Sequence, residues 1–101
     1  MDVRVVDNPD KHRFEARAGD LVAGFAAYTT GPGRITFTHT EVDGAYKGQG
    51  IGGQLVRGAL DAVREGGLAV LPECPFVRGW IAKHPDYVEL VPESKRESYE
   101  L

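Results

Sequence analysis

The residue types that point most directly to chemistry lie in a glycine-rich segment, Tyr46-Lys47-Gly48-Gln49-Gly50-Ile51-Gly52-Gly53. Backbone amides at the start of a helix attract phosphate, because they lack helical partners and the helix dipole adds positive potential. Glycines let a ligand approach the backbone, and Lys47 adds a positive charge. A plain connecting turn is the alternative, but each glycine costs roughly 0.5–1 kcal/mol of unfolded-state entropy. The segment therefore predicts a loop that binds a diphosphate.

Two other phosphate-binding patterns fit this loop less well. The Walker A pattern is absent, since no Gly-Lys-Ser or Gly-Lys-Thr follows. A dinucleotide fingerprint is matched in spacing by Gly48, Gly50 and Gly53, with Glu73 as the ribose partner. In such a unit the first glycine follows its strand almost directly and the motif opens the domain. Here residues 43–47 intervene and several predicted strands come first, which favours a different diphosphate ligand.

The segments that position the loop begin with four predicted strands. Turn sequences at residues 8–10, 18–20 and 30–33 separate segments rich in β-formers. Because the turns are short, neighbouring strands are expected to be antiparallel. Strict alternation places His39 and Glu41 on the face of the fourth strand that carries Ile35 and Phe37. The predicted strands are Val3–Val6, His12–Arg17, Leu21–Thr29 and Arg34–Val42.

After Gly50 the apolar residues recur at helical spacing, and the helix is predicted to end at Glu65-Gly66-Gly67. Leu68–Leu71 suits a buried strand that returns parallel to the fourth through a right-handed crossover. A second helix is predicted from Cys74-Pro75 to Lys83. Tyr87–Val91 is predicted as a last strand or an extended tail. The fold class is α/β (α+β), with a mixed, mostly antiparallel sheet in the order β-β-β-β-α-β-α.

The residues from Val42 to Gly52 resemble the acetyl-coenzyme A motif of the GCN5-related N-acetyltransferases, whose core is Arg or Gln, two residues, Gly, one residue, then Gly or Ala. Lys47 takes the Arg or Gln place, and Gly50 and Gly52 take the small positions. The predicted element order is similar to the family's, without the helices that usually follow its first strand. Through 39–42, 72–77 and 84–87 the resemblance extends to a subfamily of small single-domain members. It implies that acetyl-coenzyme A is held by Val42, Lys47, Gly48, Gln49, Gly50, Ile51, Gly52 and Gly53.

Cys74 is the first of four candidate catalytic residues. It is predicted at the N-cap of the second helix, where the helix dipole favours the thiolate form. In the small subfamily a cysteine in this context lies near the acetyl group, which implies an acyl-cysteine intermediate as one route. A buried structural thiol is the alternative.

Most members of the family transfer the acetyl group directly to an amine, using a base and sometimes a tyrosine as acid. Glu41 and His39 are the candidate bases, although a half-buried structural histidine is the alternative for His39. Tyr87 is the candidate acid, with Tyr46 and Tyr28 as rivals. By resemblance, the amide near Val42 is expected to bind the acetyl carbonyl.

Composition bounds the remaining possibilities. The 101 residues fit one domain over 1–101, with residues 93–101 as a flexible tail. The net charge of −3 argues against nucleic acid as a partner, and no apolar run approaches the roughly 20 residues of a membrane span. One cysteine and an N-terminus without signal features favour the cytoplasm. The spacing of the histidines indicates no metal site.

The sequence therefore predicts an acetyl-coenzyme A-dependent N-acetyltransferase. Its acceptor is expected to be a small-molecule or peptide amine, and the protein a monomer or weak dimer. A coenzyme A-binding protein without efficient transfer, with a sensor or accessory role, is the alternative. A nucleotide-binding module is the third interpretation.

Overall fold

The structure is a computed structural model that describes residues 2–101. Five strands form one sheet in the order β1-β2-β3-β4-β5. Strands β1 to β4 are an antiparallel meander, and β5 pairs parallel to β4. The predicted fold class is thereby confirmed. The strands are β1 Arg4–Asn8, β2 Arg13–Ala18, β3 Leu21–Gly31, β4 Arg34–Val42 and β5 Ala69–Pro72, and the helices are α1 Ile51–Glu65, α2 Pro75–Lys83 and α3 Glu93–Arg96.

Helices α1 and α2 pack against the same face of the sheet, where one cluster of buried side chains forms the core. The apolar stripe of α1 faces Phe14, Ala26 and Phe37 of the sheet, and α2 adds Val77 and Ile81. Each large apolar side chain buried in this way stabilises the fold by about 1.5–3 kcal/mol. The stripe on α1 consists of Ile51, Leu55, Val56, Ala59, Leu60 and Val63.

A β-bulge in β4 changes which side chains face this core. Ala27 of β3 lies opposite His39, whereas Tyr28 lies opposite Phe37, so Thr38 is an extra residue in β4. Ile35 and Phe37 point into the core, and beyond the bulge the alternation is reversed. The prediction that His39 and Glu41 share the face of Ile35 and Phe37 is therefore wrong. Both lie on the opposite face, with side chains that are each 60% exposed.

That opposite face carries a buried carboxylate on β2. Glu15 is 2% exposed and accepts hydrogen bonds from Arg13 Nε at 2.8 Å, from Arg17 Nε and Nη2 at 3.0 and 2.7 Å, and from Asn8 at 3.1 Å. Burial raises the pKa of Glu15, but these donors outweigh burial and lower the pKa to about 2. Glu15, Arg13 and Arg17 together carry one net positive charge.

The chain after α2 differs from the predicted strand or extended tail. Residues Pro85–Leu90 form a 3-10 helix that buries Tyr87, because His84-Pro85 ends α2 and restarts a tight turn. In the last residues, Arg96 Nε donates to the Val91 carbonyl at 3.0 Å, and the Tyr99 hydroxyl donates to the Glu73 carboxylate. Flexibility of residues 93–101 stays a prediction. So does a single domain over residues 1–101, of which Met1 lies outside the described residues.

Glu15→Gln tests how strongly the buried carboxylate stabilises the fold. A pKa lowered from 4.5 to about 2 gives a stabilisation that is present above pH 4.5 and is lost as the pH falls through about 2. At about 1.4 kcal/mol for each pKa unit this amounts to about 3 kcal/mol. We expect the variant's free energy of unfolding to be lower by about that much at neutral pH, and the difference from wild type to shrink in acid.

Urea titrations over a range of acidic and neutral pH values measure this difference. The matched control is Glu65→Gln, which changes an exposed carboxylate at the end of α1 and should alter the free energy of unfolding by less than about 0.5 kcal/mol. A destabilisation that stays constant with pH would contradict the ionic role of Glu15.

Candidate functional site

The central feature of the site is a gap between β4 and β5. The two strands pair only from Arg34 opposite Ala69 to Phe37 opposite Pro72. Pro72 has no amide to extend the ladder, and Pro75 begins α2 at once. The amide of Cys74 still donates to the carbonyl of Phe37 at 2.8 Å, and the chain then turns away. Strand β4 therefore continues to Val42 with one edge that β5 does not cover.

The peptide groups on this edge belong to Thr40 and Val42. The amide of Asp43 donates to the Ala23 carbonyl of β3 at 2.8 Å, which fixes the phase of the antiparallel ladder. Since hydrogen-bonded and non-hydrogen-bonded pairs alternate, His39 and Glu41 bond to β3, and Thr40 and Val42 turn their amides and carbonyls towards the gap. The gap is thus lined by main-chain donors and acceptors.

Cys74 lies on the helix side of the gap. Its side chain is 3% exposed, and its Sγ atom is 3.3 Å from the Thr40 hydroxyl. The residue is the N-cap of α2, as predicted, and its carbonyl accepts from the Arg78 amide at 3.0 Å. His39 and Glu41 lie on the other side of the sheet. Strand β4 therefore separates the predicted thiol from the two predicted bases.

The glycine-rich loop continues directly from the free edge of β4. A 3-10 turn at Gly44–Tyr46 is capped by Asp43, whose carboxylate accepts from the Ala45 amide at 2.9 Å. Gly48 and Gly50 then adopt positive φ angles of 80° and 73°, which other residues adopt only with strain. Within residues 2–101, the amides from Gly48 to Gly53 donate to no backbone carbonyl; the first helical bond is from Gln54 to Gly50.

The starts of the two helices meet at a glycine. A Cβ atom at Gly52 would lie 2.6 Å from the ring of Phe76, so any larger residue would have to displace this ring from its place between α1 and α2. By contrast, a Cβ atom at Gly48 or Gly50 would meet no atom within 4 Å, which leaves room for a ligand beside the backbone. Phe76 is 48% exposed and presents apolar surface next to the loop.

A hollow of about 640 Å³ lies on the face opposite the helices. It reaches the end of β4 at Val42, so it adjoins the residue that borders the gap. The carboxylate of Glu41 in the hollow is 3.3 Å from His39 Nε2. The residues around the hollow are Arg13, Val22, Ala23, Gly24, Phe25, Glu41, Val42, Asp43 and Lys47.

Tyr87, the predicted acid, makes its contacts away from the glycine loop. Its hydroxyl donates to Asp61 at 2.7 Å, and its ring packs edge-on against Trp80 at 4.8 Å between centroids. The hydrogen bond to Asp61, together with burial, raises the pKa of Tyr87. Asp61 lies ten residues into α1, about 15 Å along the helix from its start. Tyr87 therefore contacts the far half of α1, whereas the glycine loop lies at the other end.

Several residues of the site carry no signal in the sequence. Arg13, Phe25 and Thr40 come from three different strands and are brought together only by the sheet register. Of the two rival tyrosines, Tyr28 donates its hydroxyl to Asp7 at 2.6 Å and Tyr46 lies half-buried beside the loop.

Among residues 2–101, no three His, Cys, Asp or Glu side chains are placed to share a metal ion. No helix in this range has the length and apolarity of a membrane span.

Comparison with known proteins gives a family and a fold. The family model described as GCN5-related N-acetyl-transferase matches residues 13–90. The NMR solution structure of a GCN5-like candidate N-acetyltransferase from Staphylococcus aureus is similar, with a TM-score of 0.68 and 19% sequence identity. The match covers 90% of this chain and 89% of that one. Among curated proteins, none has a sequence that matches this chain significantly.

Tyr87→Phe tests the structural contact of this tyrosine. We expect the free energy of unfolding to fall by about 1 kcal/mol, because one hydrogen bond to a partly exposed carboxylate is lost. The control is Tyr46→Phe, whose hydroxyl has no hydrogen-bond partner in the described part of the chain, and which should change stability by less than about 0.5 kcal/mol. Equal losses in urea titrations of the two variants would contradict this role.

Proposed function

Since the chain belongs to the GCN5-related N-acetyltransferase family, we propose that it transfers an acetyl group from acetyl-coenzyme A to an amine. One observation carries this proposal: the uncovered edge of β4 at Thr40 and Val42 leads through residues 43–47 to the amides of Gly48 to Gly53, which have no backbone partner within residues 2–101. An extended amide-containing arm fits the first element, and a diphosphate fits the second.

The loop has the properties that a diphosphate requires. Its amides begin a helix of 15 residues, so the helix dipole reinforces them. The two positive-φ glycines leave the backbone open to approach, and Lys47 supplies an exposed charge. We assign coenzyme binding to Val42, Lys47, Gly48, Gln49, Gly50, Ile51, Gly52 and Gly53.

Acetyl-coenzyme A supplies the acetyl group as a thioester: the carbon–sulfur bond breaks as the carbon–nitrogen bond forms, the amine loses a proton and the sulfur gains one. The amide of Val42 faces the gap and is the donor for the acetyl oxygen. Glu41 lines the hollow on the other face and, with His39 at 3.3 Å, is the base that accepts the amine proton. The acceptor therefore approaches from the hollow.

This arrangement favours direct transfer over an acyl-cysteine route. Cys74 lies across β4 from Glu41 and His39, so neither side chain reaches its thiol. Its sulfur contacts the Thr40 hydroxyl, and this contact holds Thr40 at the wall of the gap. We infer that Cys74 shapes the gap and does not carry the acetyl group.

Coenzyme binding without efficient transfer is the second candidate function. It is supported by the burial of Cys74 and by the bond that ties the Tyr87 hydroxyl to Asp61, because neither side chain is then placed to give a proton to the sulfur. Such a protein would bind acetyl-coenzyme A and show no turnover with any amine.

Gly50→Ala tests the coenzyme loop. An alanine at φ 73° costs about 1–2 kcal/mol. The variant loop is expected to relax when free and to pay this cost on binding, so we expect coenzyme A to bind about tenfold more weakly in calorimetry. Gly44→Ala is the matched control, because Gly44 has no positive φ and an added Cβ meets no atom within 4 Å. Wild-type protein that binds neither coenzyme A nor acetyl-coenzyme A would refute the proposed function.

Glu41→Gln tests the base. We expect the rate of transfer to a responsive amine to fall by about 10²–10⁴-fold with coenzyme binding retained. Cys74→Ser is the comparison and should lose less than about tenfold, with no acetyl adduct on wild-type Cys74 in mass spectrometry. The opposite ranking of the two variants, or a trapped adduct at Cys74, would establish the acyl-cysteine route.

A further inference from the structure

The hollow on the face opposite the helices holds opposite charges that are not paired with each other. Arg13 and Glu41 both line it. In residues 2–101 no ion pair joins them; the Glu41 carboxylate lies 3.3 Å from His39 Nε2 instead. Opposite charges left apart in one concave site suit a ligand that carries both signs.

Arg13 carries a positive charge that Glu15 does not neutralise. The carboxylate of Glu15 is already matched by Arg17, which donates two hydrogen bonds to it at 3.0 and 2.7 Å. Arg13 binds Glu15 through its Nε atom, at 2.8 Å, and its two terminal nitrogens have no hydrogen-bond partner in the described chain. A guanidinium with two free parallel donors is the side chain best suited to a carboxylate.

The aromatic ring of Phe25 fixes where these donors lie. The Arg13 guanidinium carbon is 4.6 Å from the centre of this ring, and the ring of His39 is 6.2 Å from it. Phe25 is directly opposite Glu41 in the register of β3 and β4. The cation therefore lies above Phe25 on one side, and the proposed base lies on the other.

We propose that the acceptor is a free amino acid or a compound of that class: a small amine that also carries a carboxylate. The carboxylate binds to Arg13, the carbon skeleton lies over Phe25, and the amine meets Glu41 beside Val42. The hollow, at about 640 Å³, is large enough to admit a molecule of this size. A polyamine carries no acceptor for the Arg13 guanidinium, although Glu41 and Asp43 both line the hollow. This inference rests on the proposed function.

Acetyl transfer to matched acceptors tests the inference. The 101-residue chain with acetyl-coenzyme A is given each of the standard amino acids and its carboxamide, together with isoamylamine and spermidine. We expect the best amino acid to exceed its carboxamide in kcat/KM by about tenfold or more, and Arg13→Gln to reduce this ratio to about one. A variant that is merely damaged lowers both rates together and leaves the ratio unchanged.

Arg34→Gln is the matched control. Arg34 is an exposed arginine at the other end of β4, away from the residues that line the hollow, and should keep the wild-type ratio. Carboxamides, isoamylamine or spermidine accepted as well as any amino acid would overturn the inference. So would an Arg13→Gln variant that retains the wild-type ratio.

A binding measurement tests the class of the acceptor independently of turnover. NMR titration of the 101-residue chain with L-leucine should shift the amide signals of Phe25, Glu41 and Val42, and L-leucinamide should shift them less. No preference for L-leucine over L-leucinamide in this titration overturns the inference. Failure of the proposed function is seen separately, as absence of coenzyme A binding in calorimetry.

Discussion

The structure depends on the early end of the pairing between β4 and β5. In residues 2–101, the last main-chain hydrogen bond between the two segments runs from the Cys74 amide to the Phe37 carbonyl. Pro72 cannot donate and Pro75 starts a helix, so the chain is forced away from β4 at this point. Without that separation, β4 would be a closed central strand. With it, peptide groups of β4 remain available beside a helix start.

The bulge at Thr38 determines which side chains of β4 lie on each face of the sheet beside the gap. By reversing the alternation halfway along β4, it places Thr40 towards Cys74 and Glu41 towards the opposite face. One strand thus supplies main-chain groups at its edge, a hydroxyl on one face and a carboxylate on the other. A regular strand would have directed Glu41 into the core beside Phe37, where an unpaired charge is strongly destabilising.

The sequence predicted features that depend on neighbouring residues. The family, the fold class and the N-cap position of Cys74 are confirmed, because proline, glycine and helical periodicity act locally. The bulge was missed, since residues 38–41 alternate plausibly without it. The 3-10 helix around Tyr87 and the position of Arg13 over Phe25 depend on contacts between distant segments, which spacing alone does not contain. The roles of the individual site residues stay predictions.

An uncovered strand edge also bears on self-association. Unpaired amides and carbonyls on a strand invite pairing with a strand of another molecule, and soluble proteins shorten or block such edges. Here the stretch from Thr38 to Val42 is bounded by β5 at one end and by the glycine loop at the other. The start of α2 lies beside it through the contact of Cys74 with Thr40. The uncovered edge is therefore confined to residues 38–42, and so short an edge offers few peptide groups for pairing with a strand of another molecule.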